Sequence, residues 1–145
     1  MFYSELVRKA CLISFDAHKN DTDKGGYPYV YHPFYLASQF DDEKCVCVAL
    51  LHDVIEDHGD RYSFESLKNE GFDDEIISAL KLLTHEDGVD YMEYVGKIAL
   101  NPLARKVKKA DLKHNMDSRR TDGKVFRKAE LYKEAYAYLE KYENL

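Results

Sequence analysis

Apolar residues recur at helical spacing through most of this chain. In the first stretch, residues 2–19, Leu6, Ala10, Ile13 and Ala17 fall three or four positions apart. The same spacing predicts further helices over 33–40, 41–59, 63–71, 73–83, 90–100, 102–119 and 124–142. Short polar residues mark several of these starts: Asp41 or Asp42, Ser63 and Asp73. Since no stretch alternates as a strand does, we predict an all-α fold, with residues 1–145 forming one compact helical bundle.

The helix predicted over 41–59 carries an unusual polar face. On a continuous helix turning about 100° per residue, Asp53, Glu56 and Asp57 fall within roughly 140° of His52. The other side of this helix is apolar and suits a core. Ionisable groups beside a core are costly to bury unless they are paired or bind a cation. The face is therefore either a cation site or a solvated, acidic helix end, and this helix alone leaves both open.

Composition and charge narrow the class of protein. Hydrophobic residues make up 45% of the 145 positions and charged residues 33%, a balance typical of a folded domain. The net charge of −6 disfavours binding to duplex nucleic acid, where basic surface supplies much of the affinity. No apolar run is long enough to cross a bilayer. The three cysteines are odd in number and lack CxxC spacing, so we expect reduced thiols in a cytoplasmic protein without a membrane partner.

Two further segments carry candidate chemistry. His32 follows a polar, turn-forming loop and stands at the start of a short helix, in the sequence YHP. Asp111 and Asn115 are four residues apart in KADLKHNM, which places them one above the other on a helix. Taken singly, His32 has an ordinary explanation as a structural histidine, and Asp111 as a surface acid. Their order along the chain, a histidine, then His-Asp, then an aspartate, indicates a shared site.

Three segments, KGGYPYVYHP, ALLHDVIEDH and KKADLKHNM, occur in an order and at spacings that resemble the HD-domain phosphohydrolases. The likeness is greatest to the hydrolase domain of RelA/SpoT-type enzymes, which degrade the stringent-response alarmones, and it extends from about Ala17 to Arg120. The resemblance implies a divalent ion, usually Mn²⁺, although nitrogen and oxygen ligands also accept iron, cobalt, nickel or zinc. It implies four metal ligands: His32, His52, Asp53 and Asp111.

The resemblance also implies roles for other residues. Glu56 and Asp57 would act on the hydrolytic water, which fits the chemistry, because a metal-bound water needs a nearby carboxylate to take its proton. The alternative for these carboxylates is to accept a hydrogen bond from His32 or His52. Asn115 would lie beside the nucleotide. The candidate substrate contacts are Lys24, Tyr29, Lys108 and Asn115.

Two positions depart from the alarmone-hydrolase pattern. Asp23 stands where an arginine usually lies against the guanine base. Leu112 directly follows the motif aspartate, where an arginine is common. An aspartate cannot stack on a purine as a planar guanidinium does. From the sequence we therefore expect little discrimination between guanine and adenine.

The sequence favours an activity like that of guanosine-3′,5′-bis(diphosphate) 3′-pyrophosphohydrolase, releasing pyrophosphate from a nucleotide, and we expect degradation without synthesis. One alternative is a general HD phosphatase acting on nucleoside monophosphates or another small phosphoester. A second is a non-catalytic, metal-dependent nucleotide sensor, against which Glu56 and Asp57 argue, since binding alone needs no water-activating carboxylates. The expected partner is thus a small nucleotide or phosphoester, and the sequence leaves a homo-oligomer open.

Overall fold

The computed structural model of the chain describes residues 1–121 and 128–143. Its helices are α1 (Glu5–His18), α2 (Tyr31–Ser38), α3 (Glu43–Leu51), α4 (Val54–His58), α5 (Phe64–Asn69), α6 (Asp74–Leu83), α7 (Tyr91–Ala99), α8 (Pro102–Asn115) and α9 (Ala129–Glu143). A short 3-10 segment, Ser118–Thr121, follows α8. Within the described ranges there is no β-strand, only an isolated bridge between Thr22 and Pro28. The all-α prediction is confirmed.

Of the helix predicted over 124–142, residues 124–127 lie outside the described part of the chain, and α9 accounts for the rest. The helix predicted over 102–119 ends earlier, at Asn115, where the backbone passes through Met116 into the 3-10 segment. Among the helices that the structure describes, none is long and apolar enough to span a membrane.

Short polar side chains fix where several helices begin. Asp42, Ser63 and Asp73 each accept a hydrogen bond from a backbone amide in the first turn of the helix that follows. These predicted starts are confirmed. Helix α1 is capped in the same way by Ser4 and therefore begins later than residue 2, where we predicted its start. Gly71 has a φ of 105°, a left-handed conformation that glycine adopts at little cost, and it turns the chain between α5 and α6.

The prediction of one continuous helix over 41–59 is wrong. Helix α3 ends at Leu51, His52 and Asp53 form a turn, and α4 begins at Val54. The backbone leaves the helical region at Asp53, which has φ −124° and ψ 12°. On an unbroken helix, successive side chains diverge by about 100°. The turn changes this relation, and Nε2 of His52 lies 3.5 Å from Oδ2 of Asp53.

Helix α3 lies at the centre of the fold. Residues 45–51 are all buried, as expected for a helix with others on every side. It packs against α1, α2, α6 and α8. His52 and Asp53 follow the last buried turn directly, so the chain delivers them to the edge of the core. His32 on α2 and Asp111 on α8 reach the same edge from neighbouring helices.

The cysteines pack in or against this core. All three are free thiols, as expected from the sequence. Burial raises the pKa of Cys45 and of Cys47 to about 12, so both thiols stay protonated at neutral pH. These cysteines therefore act as small apolar residues of α3.

Candidate metal centre

Two histidines and an aspartate meet at the edge of the core. The Nε2 atom of His32 lies 2.8 Å from Oδ1 of Asp111, and Nε2 of His52 lies 3.5 Å from the same oxygen. All three side chains are buried. The structure thus brings these three predicted ligands within reach of one ion.

The fourth predicted ligand, Asp53, lies beside this group. Its Oδ2 atom is 3.5 Å from Nε2 of His52 and accepts a hydrogen bond from the Tyr29 hydroxyl. Its Oδ1 atom is 3.2 Å from Nε2 of His18. Imidazole nitrogens and carboxylate oxygens together suit a divalent transition-metal ion. We refer to the four predicted ligands as the ligand cluster: His32, His52, Asp53 and Asp111.

The charges of the ligand cluster favour a cation. Burial by itself raises the pKa of Asp53, but His52 and His18 outweigh it and hold that pKa below its ordinary value. Burial acts in the same direction on Asp111, where Lys108 and the histidines outweigh it and hold the pKa well below its ordinary value. Both carboxylates therefore stay ionised inside the protein, and buried anions need compensating positive charge. The residues present fit a bound divalent ion.

The backbone orients His52 toward the cluster. Its Nδ1 atom donates a hydrogen bond to the Ala49 carbonyl oxygen, at 2.7 Å, which leaves Nε2 directed at the two carboxylates. Metal-binding histidines commonly use their second nitrogen in this way. Burial by itself lowers the pKa of His52, but Asp53 and Asp111 outweigh it and raise the pKa to about 9. At neutral pH the imidazole of His52 is therefore protonated, and a bound ion would replace this proton.

His114 supports His32 from the other side, which the sequence analysis missed. The Nδ1 atoms of the two rings lie 2.8 Å apart, and the rings are parallel to within 2°. Burial and the nearby Arg120 lower the pKa of His114 to about 4, so its ring is neutral and accepts the hydrogen bond from His32. The Tyr35 ring stacks on the His114 ring, and their centroids lie 4.1 Å apart. The sequence did offer one signal of this role: His114 follows Asp111 by one turn of α8, so both side chains lie on the same face of the helix.

Lys108, predicted as a substrate contact, points at a ligand. Its ammonium nitrogen lies 2.9 Å from Oδ2 of Asp111 and 5.3 Å from the centre of the Tyr94 ring. Burial by itself lowers the pKa of Lys108, but Asp111 outweighs it and raises the pKa well above its ordinary value. The lysine therefore stays charged and compensates Asp111. It also lines the cavity over the cluster, so its contact with substrate stays a prediction.

Glu56 lies in the same cavity. Its Oε1 atom accepts a hydrogen bond from the His85 backbone amide at 2.7 Å, which fixes the carboxylate beside the cluster. It accepts no hydrogen bond from His32 or His52 among the described residues, so the alternative role as a partner of those histidines is not supported.

Asp57 lies close to His18 and Asp53, and one ligand atom from each of these three side chains could reach a common ion. Burial, followed by the charges of Asp53 and Glu56, raises the pKa of Asp57 to about 6. Its nearness to Asp53 places it next to a ligand, and its role in catalysis stays a prediction.

A chain of histidines and carboxylates extends from Asp53 toward the surface. His18 is fully buried, and its Nδ1 atom lies 3.0 Å from Oδ2 of Asp21. The Nε2 atom of His58 lies 2.6 Å from the same oxygen. Burial by itself lowers the pKa of His18, but Asp53 and Asp21 outweigh it and raise it. This arrangement holds Asp53 in place, and no motif in the sequence indicated it.

One cavity borders the ligand cluster, and a second cavity lies beside the first. The main cavity, about 460 Å³, is lined among others by His52, Asp53, Glu56, Lys108 and Asp111. The side cavity, about 210 Å³, is lined by Thr22, Asp23, Lys24, Tyr29, Asn115, Arg120 and Tyr132. Of the predicted substrate contacts, Tyr29 and Asn115 line both cavities, Lys108 lines the main one, and Lys24 lines the side one.

The chain is similar to several known proteins. The chain matches the family described as "HD domain" over residues 19–131. It is 28% identical over 128 residues to the "Probable GTP pyrophosphokinase" of Mycobacterium leprae, a match covering 79% of this chain and 16% of that protein. It is 44% identical over 55 residues to the "Bifunctional (p)ppGpp synthase/hydrolase SpoT" of Escherichia coli (strain K12), covering 35% of this chain and 8% of that protein. The chain thus corresponds to a small part of either relative.

A solved structure shares the fold. It is described as "A metazoan ortholog of SpoT hydrolyzes ppGpp and plays a role in starvation responses" and superposes with a TM-score of 0.73 at 20% identity. The match covers 98% of this chain and 87% of that one. Together with the family match over most of the chain, these findings establish that the chain belongs to the HD domain family.

Proposed function

We propose that this chain, residues 1–145, is one HD domain that acts as a metal-dependent phosphohydrolase. Its substrate would be guanosine 3′,5′-bis(diphosphate) or a closely related nucleotide, from which it releases the 3′ pyrophosphate. The observation that carries the proposal is the buried convergence of His32, His52 and Asp111, with Asp53 alongside. The names of the curated relatives, several of them "Guanosine-3′,5′-bis(diphosphate) 3′-pyrophosphohydrolase", support the substrate class.

The four residues of the ligand cluster would hold the ion, which we propose to be Mn²⁺. When bound, a divalent ion lowers the pKa of a coordinated water and neutralises charge on a phosphate oxygen. The protein supplies the rest of the chemistry. His18, His114 and Lys108 fix Asp53, His32 and Asp111 respectively, so the ligands stay in place during the reaction.

Hydrolysis forms a bond from the water oxygen to phosphorus and breaks the bond from phosphorus to the ribose 3′ oxygen. We assign Glu56 to take the proton of the attacking water, because its carboxylate is fixed in the main cavity by the His85 amide. Asn115, Tyr29 and Lys24 line the adjoining space and would position the nucleotide. The departing 3′ oxygen then gains a proton and becomes a hydroxyl group.

A product assay tests this function. The purified protein with Mn²⁺ is incubated separately with guanosine 3′,5′-bis(diphosphate), nucleoside monophosphates and a generic phosphoester, and the released phosphate species are identified. We expect pyrophosphate from the first substrate only. Orthophosphate from a monophosphate would favour a general phosphatase, and metal-dependent binding without turnover would favour a nucleotide sensor. The variant His52→Ala, which removes a predicted ligand, is the inactive control.

A further inference from the structure

The side cavity contains a pair of opposite charges that no motif accounts for. We propose that Asp23 and Arg120 together recognise the edge of a purine base that carries a carbonyl oxygen beside an N–H group, as guanine and hypoxanthine do. The inference rests on the proposed function for its ligand class, a nucleotide. Arg120 would then contribute a guanidinium group to base recognition, which position 23, an aspartate, does not supply.

Asp23 is held rigidly by its own loop. Its Oδ1 atom accepts hydrogen bonds from the backbone amides of Gly25 and Tyr27, both at 2.9 Å. Its Oδ2 atom is left facing Arg120, with 3.8 Å between Oδ2 and the guanidinium Nη2. The side chain is only 12% exposed. One oxygen therefore shapes the loop, and the other remains as an acceptor at the side cavity.

Arg120 reaches the side cavity from the 3-10 segment that follows α8. Its Nη1 atom donates to Oδ1 of Asn115 at 2.8 Å and to the His114 carbonyl oxygen at 3.3 Å. A Cβ atom added at Gly25 would collide with the Arg120 backbone oxygen, so the loop and this residue are packed directly together. The guanidinium is 17% exposed and still has N–H groups directed to Asp23 and the cavity.

Asn115 connects this pair to the ligand cluster. Its amide nitrogen donates to Oδ1 of Asp111 at 3.0 Å, while its oxygen accepts from Arg120, so both ends of the amide are fixed. Asn115, Tyr29 and Tyr132 line both cavities, so the two cavities adjoin. A nucleotide with a phosphate at the cluster would place its base in the side cavity, where the Tyr132 ring offers an apolar surface.

The chemistry of the pair selects among bases. A guanidinium only donates hydrogen bonds and favours the adjacent O6 and N7 acceptors of guanine. The N1–H of guanine, on the other side of O6, would donate to Asp23. Adenine carries an amino group in place of O6 and no hydrogen on N1, so Arg120 would meet a donor and Asp23 would lose its partner.

Equilibrium binding of nucleoside diphosphates tests the inference separately from catalysis. GDP, IDP and ADP carry no 3′ phosphate and are not substrates of the proposed reaction, so their affinities for the Mn²⁺-loaded protein can be measured by calorimetry. We expect GDP and IDP to bind about tenfold or more tightly than ADP, the scale of losing a charged hydrogen bond. Arg120→Ala should weaken GDP about tenfold and change ADP by less than about twofold.

Two further variants sharpen the test. Asp23→Asn keeps an oxygen for the Gly25 and Tyr27 amides but presents an amide donor where Oδ2 was, so it should abolish the guanine preference in a folded protein. Arg119→Ala is the matched control, because Arg119 is 85% exposed, pairs with Asp117 and does not line the side cavity. Thermal unfolding checks that each variant is folded. If Arg120→Ala does not fold, the binding of GDP and ADP to Asp23→Asn tests the inference instead.

Three results would overturn the inference: equal binding of GDP and ADP by the unmodified protein, equal weakening of both by Arg120→Ala, or no binding of any of the three up to millimolar concentration. The second result would indicate a phosphate contact. A guanine preference in a protein that hydrolyses nothing would instead refute the proposed function and leave this inference standing.

Discussion

The ammonium group of Lys108 lies 2.9 Å from one oxygen of Asp111, while His32 and His52 approach the other. Lys108 precedes Asp111 by one turn of α8, so the helix itself sets this distance. Asp111 thus has a permanent positive partner on one side and room for an ion on the other. Without the proposed ion, the stability of the fold should depend more strongly on the Lys108 ammonium group, and without Lys108 it should depend more strongly on the ion.

The variant Lys108→Met tests this relationship. With EDTA present, the free energy of unfolding should fall by about 3 kcal/mol, because a buried carboxylate loses its partner. With saturating Mn²⁺ the loss should be smaller, since the ion compensates the same charge. Urea unfolding followed by circular dichroism measures both values. Lys113→Met, at an exposed position of the same helix, should change stability by less than about 0.5 kcal/mol. Equal losses with and without the ion would contradict the argument.

Replacing Asp53 or Asp111 with alanine should remove the ion. Both carboxylates are buried at the cluster and are its oxygen donors, so each replacement removes a charged oxygen ligand from the proposed ion. We expect one ion per chain in the unmodified protein and far less in either variant, with helical content largely retained. Elemental analysis after gel filtration measures the ratio. Asp60→Ala, an exposed carboxylate after α4, should keep its ion. Full occupancy in both cluster variants would exclude this ligand set.

Glu56→Gln separates catalysis from metal binding. The amide oxygen of glutamine can still accept the hydrogen bond from His85, so the side chain should stay in place. Turnover of guanosine 3′,5′-bis(diphosphate) should fall about 10²-fold, the usual scale for loss of a general base, at unchanged metal content. Glu65→Gln on the exposed side of α5 is the control. Normal turnover in the Glu56 variant at full occupancy would assign that residue a structural role.

Asp57 predicts a specific pH dependence of stability. Its pKa rises from an ordinary value of 3.8 to about 6 in the folded protein, so the folded state holds this proton more tightly than the unfolded chain. Ionising Asp57 therefore costs stability progressively between those two pH values, and the cost is constant above about pH 6. Asp57→Asn should raise the thermal midpoint above pH 6 and have little effect near pH 4. Midpoints measured with EDTA, with Asp60→Asn as control, test this difference. A constant difference at every pH would contradict it.

The sequence predicted the helices because periodicity and capping residues are local signals. It did not predict the turn at His52 and Asp53, since the segment Leu51-His52-Asp53-Val54 contains no glycine or proline and its apolar spacing continues into α4. The backbone turns at Asp53, whose carboxylate contacts Tyr29 and His18, two residues from a distant part of the chain. Such contacts join distant parts of the chain and leave no trace in local spacing.

The same limit applies to the substrate side of the site. The motif positions of His32, His52, Asp53 and Asp111 could be read from their order, and the structure brings them together. Asp23 was considered alone, as the loss of an arginine, because nothing in the sequence joins it to a residue after α8. Its contact with Arg120 changes the premise of the expected weak guanine preference, which itself remains untested.

The burial of helix α3 couples the ligand cluster to the packing of the core. Because residues 45–51 of this helix are all buried and His52 and Asp53 follow at once, two predicted ligands shift whenever the packing of the core changes. A substitution such as Leu50→Ala leaves a cavity that surrounding helices fill only in part, and the resulting displacement reaches both side chains. A substitution in the core can therefore lower the affinity for the proposed ion, although the substituted residue is not at the site. A variant can therefore lose the proposed ion without a change in any residue of the ligand cluster.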